Sequence, residues 1–267
     1  MIEPSLRSFE NPDRHAAVSE IIRRRSANPA DVRDAVLGGL DLAQVRTVLD
    51  LGCGFGFMSE AVARRVAPDA QITGVDACAA NERPFLERIA LTGRAARFVC
   101  RRVGSRLDWP EGSFDLVVAS YALYFFPEAL PEVARVLSPQ GLFVAVTHSE
   151  RSCRDLARVV GLPPSDARAL AAIRGFSAEN GADLLARWFA ELERIDYRNA
   201  LAFDAADEEE FLTYMRFKLP FLLPEAAWDG ELAERLLRAA RASLAGQGRL
   251  IINKDDAAFR CRSPRRP

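Results

Sequence analysis

The chain of 267 residues is 49% hydrophobic and 27% charged, ordinary globular values that exclude a disordered or fibrous protein. Lys+Arg 36 against Asp+Glu 37 leaves a net charge of -1, so no global field draws nucleic acid or an anionic membrane. No run approaches the roughly 20 apolar residues of a spanning helix. The opening MIEPSLRSFENPDRH lacks the apolar core of a signal peptide, and the five cysteines, Cys53, Cys78, Cys100, Cys153 and Cys261, show neither CxxC nor framework spacing. A cytoplasmic protein with thiols, no metal site and no disulfides is expected.

In chain order, residues 13–27 read as a helix with Val18, Ile21 and Ile22 on one face. Asn28-Pro29 reads as the start of a second helix, with Asn28 as N-cap and Asp31 and Asp34 in or near its first turn. RTVLDLGCGFG is a strand breaking into glycines, FMSEAVARRVA a helix, ITGVD a second strand, and RPFLERIALTG a helix closed by Gly93. ARFVC, FDLVVAS and GLFVAVTHS supply three more strands, with PEALPEVARVLSPQG helical before the last. Strands apolar throughout and separated by helices imply an α/β doubly wound parallel sheet covered on both faces.

Beyond Ser149 helices are expected near 151–160, 164–174 and 178–190, then ERIDYRNALAF as one strand. Residues 207–245 read as helical, interrupted by Pro220 and Pro224, and GRLIINKDDAAFRCRS as one last strand before a solvated basic tail. The expected organisation is a single domain over 1–267. It comprises N-terminal helices at 1–44, a core at 45–148, further core elements at 149–206, a helical lid insertion at 207–245, and a last strand with tail at 246–267.

The glycine loop carries the chemistry. Asp50-Leu51-Gly52-Cys53-Gly54-Phe55-Gly56 lies between a strand and an amphipathic helix, where glycines permit a tight turn and close backbone approach to a ligand. Asp76 ends the next strand, placed to accept both hydroxyls of a ribose. The dinucleotide pattern GxGxxG would need glycine where Phe57 stands, and the acid Asp50 before the loop suits an ammonium or sulfonium better than a pyrophosphate. S-adenosylmethionine is favoured over NAD.

VLDLGCGFG, ITGVD and PEGSFDLVVASYALYFFPEALPEVARVLSPQGLFVAV together resemble the class I S-adenosylmethionine-dependent methyltransferases, closely over about residues 45–148. Within them the chain looks most like small-molecule methyltransferases of the ubiquinone/biotin-pathway type. The resemblance implies a seven-stranded, mostly parallel Rossmann-like sheet whose last strand is antiparallel. It implies S-adenosyl-L-methionine as cofactor and S-adenosyl-L-homocysteine as product. The methionine moiety would lie over Gly52, Cys53, Gly54 and Gly56 beside Asp50, the ribose on Asp76, and Ala77 and Cys78 beside the adenine. Ser120, Tyr121 and Tyr124 would border the methyl group. The Asp that such enzymes place near the adenine amino group is replaced here by Val103. Either backbone and apolar contacts hold the adenine, or the register shifts and Asp108 serves.

Three further groups are candidates. His148 ends a strand at the ligand-binding edge, as a general base or as a hydrogen-bonded structural histidine. His15 reads as structural. Tyr214, Arg216 and Phe217, with Lys218 nearby, form an aromatic stripe with cations; such a stripe packs helices or, as a lid, excludes water and meets the substrate. The expected reaction is methyl transfer to oxygen, nitrogen or carbon of a small organic acceptor, with no nucleic-acid or membrane partner. An RNA or protein methyltransferase, or a non-catalytic binder on the same fold, are the alternatives.

Overall fold

The computed structural model describes residues 8–163, 170, 173–222 and 230–266. Two compact units share the chain: one of residues 30–147, 175–197 and 257–267, the other of residues 1–29, 148–174 and 198–256.

The first unit holds the sheet. Its helix α2 (Val32–Leu37) starts one turn later than the Asn-Pro pair suggests. Asp31 is the N-cap, its carboxylate accepting from the Arg33 amide at 2.8 Å, while Asn28 is engaged by Asn199 and Arg198 instead. Then follow β1 (Thr47–Leu51), α3 (Phe57–Ala63), β2 (Gln71–Asp76), α4 (Glu82–Ala90) and β3 (Ala95–Cys100). β4 (Phe114–Ser120), α5 (Leu130–Val136) and β5 (Leu137–His148) complete the alternating part, and α7 (Gly181–Leu185) and β6 (Phe189–Tyr197) come later in the chain. With β9 (Asp256–Pro264) these strands form a seven-stranded, mostly parallel sheet in the order β3-β2-β1-β4-β5-β9-β6. The doubly wound expectation holds. Val48, Leu49 and Leu51 of β1 and Leu116, Val117 and Val118 of β4 are buried, as central strands covered on both faces require. Order reverses between β1 and β4, so a crevice opens beyond their carboxyl ends, the usual ligand position in open α/β sheets.

Strand β6 begins at Phe189, inside the helix expected at 178–190, of which α7 forms only Gly181–Leu185. The strand's alternating charged residues sit on the sheet edge, where charge blocks further strand pairing. Arg260 donates to the Val36 and Gly38 carbonyls, whereas Arg262, Arg265 and Arg266 of the tail are exposed, Arg266 still donating to the carbonyls of Ala134 and Arg135.

The second unit is mostly helical. It contains α1 (Pro12–Arg25), α6 (Glu150–Val159), α8 (Glu208–Leu222), α9 (Gly230–Gln247) and an antiparallel pair, β7 (Ala200–Asp204) with β8 (Arg249–Asn253). Helix α1 begins where Asn11 caps it, its side chain accepting from the Arg14 amide at 3.0 Å. ERIDYRNALAF and GRLIINKDDAAFRCRS, each expected as one strand, are both divided, at Arg198-Asn199 and at Lys254-Asp255. Asp255 explains both breaks: its carboxylate accepts from the Asn199 amide and from Arg198, and its own amide donates to Asn253.

Pro220 does not interrupt α8, which runs through it to Leu222; Pro224 and most of the helix expected at 164–174 lie outside the described residues. Phe211, Tyr214, Phe217 and Phe221 are buried, and Phe203 of β7 packs against Phe211 and Tyr214 at 5.3 and 5.8 Å between ring centres. Arg25 pairs with Asp207 and Glu210, tying α1 to α8. The aromatic stripe is therefore accounted for by packing within this unit, without exposed area that would call for a lid; Trp228 lies outside the described residues.

Candidate active site

Strand β1 delivers Asp50 and then turns sharply through Gly52, Gly54 and Gly56, whose φ angles of 72°, 50° and 87° are in the left-handed region that glycine alone adopts without strain. Space matters as much as dihedral at Gly52. A Cβ there would lie 2.4 Å from the Cβ of Ala122, so the turn after β4 closes directly on the loop. That turn carries its own strain: Tyr121 has φ 54°, an uncommon conformation for an aromatic residue and one concentrated at ligand sites.

Asp76 at the end of β2 organises the loop. Its carboxylate accepts from the Gly54 amide at 2.9 Å, the Cys78 amide at 2.8 Å and the Asn81 side-chain amide at 3.1 Å. Asn81 was not foreseen, although it stands only five residues beyond Asp76. Ala77 is exposed and Cys78 partly buried beside this carboxylate. Val103, partly buried, lies in the irregular segment after β3, and Asp108 is paired with Arg101 on the surface.

Around the glycine loop several buried polar atoms lack partners. Asp50 is buried, with one carboxylate oxygen taken by the Ser59 hydroxyl and the other, Oδ1, accepting nothing. Burial, reinforced by the nearby Asp76 charge, pushes the Asp50 carboxyl up to about 7 despite the Ser59 bond. Asn81 Oδ1 and Ser120 Oγ are likewise buried without a partner. Orphaned groups of this kind cost about 1–3 kcal/mol each and mark a place for a ligand. A ligand with an ammonium and hydroxyl or amine donors would satisfy them, and S-adenosylmethionine has these groups. The residues present therefore fit that cofactor.

A second polar cluster lies wholly in the helical unit. His148, the last residue of β5, places Nδ1 2.8 Å from Oδ1 of Asp256, the first residue of β9. Lys254 Nζ lies 2.5 Å from Oδ2 of the same carboxylate. Burial alone would raise the Asp256 carboxyl, but Lys254 and His148 outweigh it and hold it at about 2. An ionised carboxylate only accepts, so His148 donates through Nδ1 and carries its lone pair on Nε2. Burial and the Lys254 and Lys218 charges lower His148 to about 3, leaving it neutral.

Within the sheet unit the Gly54 amide thus meets Asp76, and Gly52 abuts the turn after β4 that carries Tyr121. Tyr124, buried nearby in sequence, packs its ring 4.6 Å from that of Phe125. Tyr214 lines a cavity with His148, whereas Arg216 is exposed and Phe217 stacks on His15 at 5.3 Å. His15 is itself lowered to about 3, chiefly by burial. Among the described residues no cluster of His, Cys, Asp and Glu could hold a metal ion, none of the cysteines is in a disulfide, and no helix is long and apolar enough to cross a membrane.

Residues 48–141 match the family model described as a methyltransferase domain. The chain is 37% identical over 111 residues to Nocamycin O-methyltransferase of Saccharothrix syringae, covering 38% of this chain and 39% of that protein. It is 31% identical over 157 residues to trans-aconitate 2-methyltransferase of Delftia acidovorans, covering 56% and 55%. The matched region thus spans about half, or less, of these relatives' length. The crystal structure of YcgJ protein from Bacillus subtilis superposes with a TM-score of 0.54 at 16% identity, covering 95% of this chain and 99% of that one, a likeness of fold. With their glycine loop, second-strand acid and place in the sheet, residues 48–141 are similar to the methyltransferase domain that this family model describes.

Proposed function

We propose that the protein transfers a methyl group from S-adenosylmethionine to a small organic acceptor. The observation that carries this reading is Asp50 Oδ1, a buried carboxylate oxygen without a partner beside the glycine loop. When bound, the cofactor supplies a methyl group already activated on a sulfonium. The chain's own work is then positioning and exclusion of water. Asp50 would hold an ammonium, Asp76 and Asn81 the ribose, and Ser120 and Tyr121 the wall beside the methyl group. With no Asp at Val103, backbone and apolar contacts would hold the adenine; Asp108, paired on the surface, is less suited.

His148, oriented by Asp256, is the chain's candidate for a general base where a proton must be lost. The near-zero net charge supports a small acceptor over RNA, as do the names of the two relatives. Cysteines without disulfides support a cytoplasmic setting. Calorimetric titration should give one site per chain for S-adenosylhomocysteine and none for NAD. The opposite result would overturn the reading.

A further inference from the structure

Of the 36 basic residues only Lys218 and Lys254 are lysines; all the others are arginine. Both lysines are buried, at 8% and 5% exposed, and both line one cavity of the helical unit. A guanidinium is wide and planar, whereas an ammonium is a compact point charge. The cavity is narrow, about 20 Å³, room for one or two water-sized groups. Lysine at both positions suits that space in a way arginine would not.

The charges inside do not balance. Lys254 is paired with Asp256, and His148 is neutral beside the same carboxylate. Among the described residues no carboxylate pairs with Lys218, whose ammonium lies 5.1 Å from the centre of the Phe221 ring. One positive charge is thus left over in a buried place, which is costly unless an anion joins it. Tyr214, held protonated by burial, adds a hydroxyl to the lining. The remaining walls include Leu156, Ile173 and Phe221, flat and apolar.

We propose that this cavity is an anion site that takes the carboxylate of a small organic acid, held by the Lys218 and Lys254 ammonium groups and the Tyr214 hydroxyl. A single negative charge completes the balance, whereas a phosphate dianion would overshoot it.

Acetate is the probe, offered to the full chain at constant ionic strength and followed by saturation-transfer NMR. Acetate should bind the unaltered protein and the exposed-cation control Arg216→Met alike. Binding should fall at least tenfold in Lys218→Met and Lys218→Arg, and several-fold in Tyr214→Phe, which removes only a hydroxyl. Circular dichroism confirms that each variant is folded. Equal binding in all variants, no acetate binding at all, or tighter binding of inorganic phosphate than of acetate would each overturn the proposal. Titration of the same samples with S-adenosylhomocysteine reports separately on the methyltransferase reading, so the two fail distinguishably.

Discussion

His148 Nδ1 donates to Asp256 across 2.8 Å, joining the last residue of β5 to the first residue of β9. The two strands are neighbours in the sheet, and 108 residues of sequence separate the partners. Asp256 also holds Lys254, so one carboxylate compensates a buried ammonium and orients a neutral imidazole. Asp256→Asn should destabilise the protein by about 3–5 kcal/mol, the usual cost of leaving one partner of a buried ion pair alone. Urea unfolding at pH 7 measures it; a loss under 1 kcal/mol would show that the pair is not structurally needed.

The same pair sets an acid limit. Burial and the nearby lysine charges lower His148 to about 3 in the fold against its ordinary 6.5, so the unfolded chain takes up the proton first. Stability associated with His148 is therefore present above pH 6.5 and is lost as pH falls from there toward 3. Asp256, lowered from 3.8 to about 2, adds a further loss below pH 4. In His148→Asn the fall in unfolding free energy between pH 6.5 and 4 should be shallower, and an unchanged slope would refute the assignment.

Asp50 has the opposite sign. Burial pushes it up to about 7 from the ordinary 3.8, so the folded state binds the proton more tightly. Its contribution is fully present below pH 4 and is lost as pH rises through 7. Asp50→Asn should thus stabilise the unliganded protein at pH 8 by roughly 1 kcal/mol or more while weakening S-adenosylhomocysteine binding at least tenfold. Ligand binding should also release a proton at pH 6, seen as a dependence of calorimetric heat on buffer ionisation. Tight binding by Asp50→Asn would remove the ammonium role.

The loop and Asp76 were legible because their logic is local: strand, glycines, helix, strand and acid follow one another within 27 residues, 50 to 76. Asp256 and Lys254 were not, because their roles depend on folding that brings β5 and β9 side by side. The polar interruption Lys254-Asp255-Asp256 inside an otherwise strand-like run was the available sign that two strands meet there. The α8 aromatics looked like lid residues for want of a visible partner; Phe203 of β7 supplies one. Phe211→Ala should accordingly cost about 3–5 kcal/mol, as a buried aromatic does. Hydrogen exchange in α8 as slow as in β1 would agree with that packing.

Gly52 offers a sharp steric test. Gly52→Ala would combine a left-handed φ with a Cβ 2.4 Å from that of Ala122. Strain and overpacking each cost about 1–3 kcal/mol. Loss of stability and of S-adenosylhomocysteine binding should appear together. Gly93→Ala is the control, also left-handed at φ 73° but with nothing within 4 Å of the added Cβ, so it should lose some stability and keep the ligand.

Lys218 closes the set because its charge has a cost that a ligand-free measurement can read. Burial and the Lys254 charge lower its pKa from 10.5 to about 8. Between pH 8 and 10.5 the unfolded chain holds a proton that the folded one gives up, so stability from this group rises with pH across that window. Below pH 8 the ammonium is charged in both states and the full cost of burying it remains. Lys218→Met keeps much of the side-chain volume and removes the charge. At pH 7, without added carboxylate, it should be more stable than the unaltered protein by roughly 1–3 kcal/mol. That difference should shrink toward pH 10, where the unaltered lysine is largely neutral in the fold. Saturating acetate should shrink it too, by stabilising only the protein that keeps its ammonium. Urea unfolding at pH 7, 8.5 and 10, with and without acetate, gives the curve. A variant less stable at pH 7, or a difference independent of pH, would mean that Lys218 is already neutralised by another group and that the cavity carries no charge for an anion to meet.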